Sequence, residues 1–350
     1  MTAAVETHWT AAQQRADGLD ALPAAVDPLA LALNENPFPP LPAVRAALAR
    51  SIAAANRFPP LLPDALRTLI AERLGVLPVQ VVLGAGATGV MLQMLHVLSN
   101  RGDPIVMASP TLEGHPMVAG ICGLCPVMVP LDQEGHHDLA AMADAARHAR
   151  IVVVCRPHNP TGTVEPAAAV ERFLCRVPGD TLVIIDEAYQ EFVGPAHRID
   201  SVGIIKRFPN VVVLRTFSKA YGLAGLRIGY AFGSPHLTDK VWATQLPFGM
   251  AITSLVAVAA SYCAESQLQQ RIRRITVQRR NLRERLRAMG INSTDAHANF
   301  IYLGAGARPW REAFDNSGIR VRHYPDGGVR ITVGCHASTR AVLTAVRGLS

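Results

Sequence analysis

The 350-residue sequence predicts an α/β fold: a seven-stranded, mostly parallel sheet in a large domain, followed by a smaller α+β C-terminal domain. Three observations carry that expectation. Short apolar runs, many of them β-branched, recur between residues 80 and 233; most are separated by segments with helical spacing; and the pattern changes after Ser234. Strands alternating with helices give a parallel sheet covered on both faces, so its strands need no polar alternation.

In chain order the expected strands are Val81-Val82-Leu83, 104–107, 126–129, 151–154, 182–185, 211–214 and 226–232. The stretches 87–99, 139–148 and 166–176 carry helical spacing between them. A long helical region is expected from Leu237 through Arg287, where Ile272, Ile275, Arg279, Leu282 and Leu286 form one stripe with the charges mainly around it. Strand-like pieces at 299–303, 319–322 and 328–333 complete the smaller lobe. Prolines in the stretch 31–40 rule out regular helix or central strand there. Residues 1–45 are therefore expected to form an extended arm packing with the small domain, 46–235 the large domain and 236–350 the small one.

Hydrophobic residues make up 49% of the chain and aromatics only 5%, so a large core must rest mainly on Ala, Val, Leu and Ile. The formal charge of +7 lies largely in the arginine-rich segment 271–287. That segment reads as a solvated helix face, with no helix-turn-helix or zinc-finger pattern beside it, so nucleic acid is not an expected partner. The N-terminus lacks the basic region and apolar core of a signal peptide. The apolar stretch 250–260 is too short to span a bilayer and carries Thr253 and Ser254, so no membrane role is expected. Six cysteines do not make a disulfide scaffold. Cys122-Gly-Leu-Cys125 has no second CxxC for a metal and sits among apolar residues, so both are expected to be small core residues. No metal is implied, and the chain reads as cytoplasmic.

Three lysines stand against thirty-one arginines, and one of them, Lys219, lies in the run from Thr216 to Tyr230. It follows the strand 211–214, at the carboxyl end where open α/β sheets place their ligands. Ser218, Lys219 and Arg227 among glycines suggest an anionic ligand beside an amine nucleophile. Such a lysine is ordinarily a solvated loop residue; its surroundings set this one apart. Gly84-Ala85-Gly86-Ala87-Thr88-Gly89 follows a strand and opens a helix, offering free N–H groups to a phosphate, although such turns also occur for steric reasons. Asn159-Pro160-Thr161-Gly162 is either a site element or an ordinary turn. Asp186, in Asp186-Glu187-Ala188-Tyr189, is either a functional acid or a helix cap. Arg330, alternating with apolar neighbours, is either an exposed strand charge or a carboxylate clamp.

Together and in this order, these elements resemble fold type I pyridoxal-phosphate enzymes, the class I/II aminotransferases. The nearest likeness is to the histidinol-phosphate and aromatic (phenylalanine-type) branch, and it extends from Leu33-Asn34-Glu35-Asn36-Pro37 to Gly334. The resemblance implies a homodimeric, biosynthetic transaminase that uses pyridoxal 5′-phosphate to move an amino group between an amino acid and a 2-oxo acid. It implies that Lys219 holds the cofactor covalently and moves the substrate proton, that Asp186 pairs with the ring nitrogen, and that Tyr189 and Asn159 bond the ring's phenolic oxygen. Ser218, Arg227 and the backbone of Ala85, Gly86 and Ala87 would hold the phosphate, with Thr216 as a further candidate. Arg330, with Asn159 beside it, would take the substrate α-carboxylate, and Arg322 would lie near the substrate side chain or its phosphate.

Three departures from the family pattern leave the substrate open among an imidazole-bearing phosphate ester, an aromatic amino acid and a specialised metabolite. His115, in Pro110-Thr111-Leu112-Glu113-Gly114-His115, stands where a tyrosine usually stacks on the cofactor; the alternative is a surface histidine. Phe58, in Arg57-Phe58-Pro59-Pro60, lacks the hydroxyl usually offered to the neighbouring subunit's phosphate. Thr88-Gly89 replaces the acid found in many histidinol-phosphate enzymes. A same-fold lyase or decarboxylase would keep all the cofactor residues. A non-enzymatic ligand sensor of this fold would need a DNA-binding domain ahead of it, for which the N-terminal stretch leaves no room.

Overall fold

The computed structural model describes residues 23–306 and 308–347. The first 22 residues of the expected arm lie outside them. Seven strands form the main sheet: β1 (Val81–Ala85), β2 (Pro104–Ser109), β3 (Cys125–Pro130), β4 (Ile151–Cys155), β5 (Leu182–Asp186), β6 (Val211–Thr216) and β7 (Ile228–Gly233). Their order is β1-β7-β6-β5-β4-β2-β3, and β7 runs antiparallel to both its neighbours. Every strand except β7 therefore ends on one edge of the sheet, and β7 begins there. The turns after β1, β2, β4, β5 and β6 and the one before β7 all gather on that edge.

The apolar runs are continuous because both faces are covered. Val183, Ile185, Val211 and Val213 join one core cluster, while Leu182, Ile184, Val212 and Leu214 join the cluster on the opposite face. Helices Gly86–Leu98, Ala167–Arg176 and Leu139–Ala146 match the expected helical stretches to within two residues at each end.

The strand β3 corrects one expectation. Cys122, at the end of the helix Gly114–Ile121, packs half-buried against the core, but Cys125 is exposed, because β3 is the open edge of the sheet and only Val129 on it is buried. Cys125 and Leu131 donate inward to Asp103 and Ser109. The alternation then turns positions 126, 128 and 130 outward, and two of these are prolines with no N–H to offer another strand.

The helical region expected from 237 to 287 comprises three helices: Pro235–Trp242, Ile252–Cys263 and Glu265–Ala288. Pro247 and Gly249, with Phe248 at φ 56°, interrupt the first gap. The predicted stripe is intact, since Ile272, Ile275, Arg279, Leu282 and Leu286 are all buried. Arg279 is tolerated within it because its Nη1 donates to the Ala298 carbonyl at 2.5 Å.

Apolar packing passes residue 235 without a break. Met250, Ala257, Val258, Leu268, Ile272 and Ile275 share the core of the large sheet, whereas Leu282 and Leu286 belong to the second core. That second core lies against a three-stranded antiparallel sheet ordered β8-β10-β9: β8 (Phe300–Leu303), β9 (Arg322–His323) and β10 (Val329–Thr332). The strand β9 falls slightly later than the expected 319–322. Leu31 is buried in this core, and its backbone pairs with Arg320 and Thr332, tying the segment before Asn34 to the small sheet.

Candidate active site

Where the strand ends gather lies a cavity of about 270 Å³. Ala87, His115, Asp186, Tyr189, Thr216, Ser218, Lys219 and Arg227 line it, so most of the residues singled out in the sequence meet here. Apolar side chains from Leu33, Met91, Leu112 and Val118 complete its walls.

One part of the cavity is built for an anion. The helix Gly86–Leu98 points its N-terminus into it and has no acidic residue in its first turn, which leaves the positive end uncompensated. Gly86 adopts φ +74°, and a Cβ there would lie 2.4 Å from Arg227 Nη2. Across the sheet, a Cβ at Gly229 would lie 2.4 Å from the Ala87 nitrogen. Both glycines are therefore required for the helix start and the guanidinium to come together. Arg227, itself left-handed at φ 48°, donates to the Ala224 carbonyl at 3.1 Å and makes longer bonds of 3.4 Å to the Ser218 hydroxyl and the Ala85 carbonyl. The Thr216 hydroxyl supports Ser218 from 3.0 Å. Guanidinium, hydroxyls and helix N–H groups with weak mutual bonds make a cup that suits a phosphate.

Elsewhere the cavity is anionic. Asp186 is buried at the carboxyl end of β5, where Oδ1 accepts from the Ala188 backbone at 3.0 Å and Oδ2 meets His115 Nε2 at 2.9 Å. His115 is thus no surface residue: it is 3% exposed and reaches the carboxylate from the helix Gly114–Ile121. A buried carboxylate held by two donors suits a ring nitrogen that carries a proton.

Lys219 places its Nζ 2.9 Å from the Leu33 carbonyl and 6.0 Å from the centre of the Tyr189 ring. Burial pushes its amine down to about 8, and the charges of Arg330 and Arg227 push the same way, against Glu35 and Asp186. About half of the amine is therefore neutral and nucleophilic at mildly alkaline pH near 8.

A buried polar network continues from Tyr189 to the small sheet. The Tyr189 hydroxyl accepts from Asn34 Nδ2 at 3.0 Å and Asn159 Nδ2 at 3.1 Å, and burial pushes this phenol up, so it stays protonated. Arg330 Nη1 donates to Asn159 Oδ1 at 2.6 Å and to the Tyr324 hydroxyl at 3.0 Å, while Nη2 donates to the Ala32 carbonyl. Arg330 Nε has no partner although the residue is only 4% exposed. Its Nε–H is thus a donor still free for a carboxylate, although neither Arg330 nor Asn159 belongs to the cavity lining itself.

Arg322 stands apart from the cavity lining and is paired with Glu113, Nε to Oε1 at 2.7 Å. Phe58 is 82% exposed and leans on Phe248 with ring centres 5.1 Å apart. The sequence reading assigned no role to Asn34, Tyr324 or Glu113. Asn34 lies within the motif 33–37 and Tyr324 two residues past Arg322, but their bonds to residues more than 150 positions away leave no local signal.

The residues present fit pyridoxal phosphate: a phosphate cup that a Cβ would fill, a buried carboxylate for the ring nitrogen, and an amine of lowered basicity. Comparison with known proteins agrees. A model of the family "Aminotransferase class I and II" matches residues 26–349. The chain is 41% identical over 316 residues to an aromatic amino acid aminotransferase of Streptomyces avermitilis, covering 89% of this chain and 88% of that protein. It is 38% identical over 319 residues to one from Cutibacterium acnes, covering 90% and 91%. Among solved structures, histidinol-phosphate aminotransferase from Sinorhizobium meliloti, in complex with pyridoxal-5′-phosphate, superposes with TM-score 0.84 at 26% identity, over 91% of each chain. The chain belongs to the class I and II aminotransferases and is a pyridoxal-phosphate-dependent transaminase of fold type I.

Proposed function

We propose that this enzyme transfers the amino group of an aromatic amino acid to a 2-oxo acid. The observation that carries the amino-acid part is the buried, unpartnered Nε edge of Arg330, which can receive an α-carboxylate side-on. The aromatic part is supported by the apolar walls from Leu33, Met91, Leu112 and Val118 and by the names of the relatives at 38–41% identity.

Each residue role follows from its surroundings. The cofactor, when bound, supplies an electron sink for the substrate α-carbon. Lys219 anchors it, and once released its neutral amine takes the α-proton and returns it on the other side of the transfer. Asp186, aimed by His115 and the Ala188 N–H, would hold the proton on the ring nitrogen. Tyr189 and Asn159 offer their polar groups to the ring's phenolic oxygen. The phosphate is held by Arg227, Ser218 and the N–H groups of Gly86 and Ala87, with Ala85 at the strand end and Thr216 supporting Ser218. Arg330 positions the substrate by its carboxylate, with Asn159 fixing the guanidinium, and Arg322 stands towards the side-chain end.

The chain is read as an arm over residues 1–45, a cofactor-holding domain and a small C-terminal domain. Packing favours moving the changeover from residue 235 into the helix Glu265–Ala288, between Ile275 and Leu282. A homodimer is supported by a cluster of exposed apolar side chains around Phe58, Leu61, Leu246 and Phe248. Six unbonded cysteines favour a reducing, cytoplasmic setting, the transaminase reading fits a role in amino-acid biosynthesis, and no described helix is long and apolar enough to cross a membrane. A donor panel tests the reading: phenylalanine, tyrosine or tryptophan should convert the bound cofactor faster than histidinol phosphate or aspartate. A clear preference for either of the latter would overturn the aromatic assignment.

A further inference from the structure

Building on the aromatic-transaminase reading, we infer that Glu113 is a specificity-determining residue, whose carboxylate cancels Arg322 so that the site takes neutral side chains over phosphorylated or carboxylate-bearing ones. The strands β9 and β10 pair with Arg322 directly opposite Arg330. Residues directly opposite project from the same face, with Cβ atoms about 4.5–5.5 Å apart. Arg330 reaches from that face to Asn159, so Arg322 starts beside the residue that takes the α-carboxylate. A free arginine there would be a second anion site, since its planar fork accepts phosphate or carboxylate. Two like charges directly opposite would also repel.

Glu113 removes both effects. It comes from the loop after β2, and its neighbours Leu112 and Gly114 line the cavity. Its Oε1 lies 2.7 Å from Arg322 Nε, joining the small sheet to that loop. Neither residue lines the cavity itself, but both side chains keep contact with solvent, 36% for Glu113 and 44% for Arg322, and Glu113 stands between two residues that do line it. An anionic side chain must displace Glu113 or lie against its negative charge. A neutral ring meets a cancelled pair and the apolar Leu112 instead.

Glu113→Gln in the cofactor-loaded enzyme tests this, with calorimetric binding of succinate, which carries two carboxylates, and 3-phenylpropionate, which carries one carboxylate and a ring. Succinate should gain about tenfold in affinity relative to 3-phenylpropionate, the effect of one charge-assisted contact. The gain should vanish in the Glu113→Gln/Arg322→Gln double variant. Arg322→Gln alone, which leaves the carboxylate unopposed, should weaken succinate relative to the wild type. An unchanged ratio in Glu113→Gln, or a gain that survives in the double variant, overturns the inference. These affinities need no turnover, so they judge Glu113 even where the wild type fails to react with an aromatic donor, a result that would count against the aromatic reading alone.

Discussion

Replacing Arg330 with Gln separates substrate binding from chemistry. In the free protein the guanidinium donates to Asn159, Tyr324 and the Ala32 carbonyl and leaves Nε unpartnered. Two charge-assisted bonds to a substrate carboxylate, at about 1.5–3 kcal/mol each, are lost in the variant. That amounts to about 3 kcal/mol or more, a fall in kcat/KM of at least about a hundredfold. Glutamine recovers one of the internal contacts, so the cost to folding should be about 1–3 kcal/mol, below the roughly 5–15 kcal/mol of a typical domain. The assay compares the affinities of 3-phenylpropionate and phenethylamine, which share a ring but differ in the carboxylate. Arg330→Gln should weaken the first by about a hundredfold and leave the second within a few-fold. Equal weakening of both, with the fold intact by circular dichroism, would refute the carboxylate role.

Three further outcomes are expected. Covalent uptake of pyridoxal phosphate by the apo chain should rise with pH and level off above about 8, because Lys219 sits there rather than at the ordinary 10.5, and Arg330→Gln should move the midpoint up. The same shift makes the unfolded chain hold more protons between those two values, so the lysine's contribution to stability rises with pH across that window. His115→Phe should retain a flat ring but lose the bond to Asp186, slowing the half-reaction and shifting the cofactor's absorbance, whereas rates and spectra like the wild type would make His115 purely structural. Light scattering should report a dimer, and Phe58→Tyr should tighten cofactor retention if residue 58 reaches the partner's phosphate; a monomer at working concentration removes that picture.

The strands were legible because each is buried on both faces, so Val211 to Leu214 or Leu182 to Ile185 announce themselves without alternation. Asp186, Lys219 and Arg227 were legible because their chemistry sits in short segments at strand ends. What failed depended on placement. Cys125 reads as core from its apolar neighbours, but an edge strand exposes it. The helix break after Trp242 turned on Pro247 and Gly249, which the overall helical spacing of the region hid. The pairing of Glu113 with Arg322 joins positions 209 apart and leaves no trace in either local pattern.

The most direct test of the central claim is a single half-reaction without acceptor. The loaded enzyme is mixed with phenylalanine alone, the cofactor spectrum is followed, and the products are identified by mass spectrometry. One equivalent of phenylpyruvate, with the cofactor left in its aminated form and reoxidised only by an added 2-oxo acid, is the predicted result. Release of carbon dioxide and phenethylamine with the cofactor still in its aldehyde form would contradict the transaminase account.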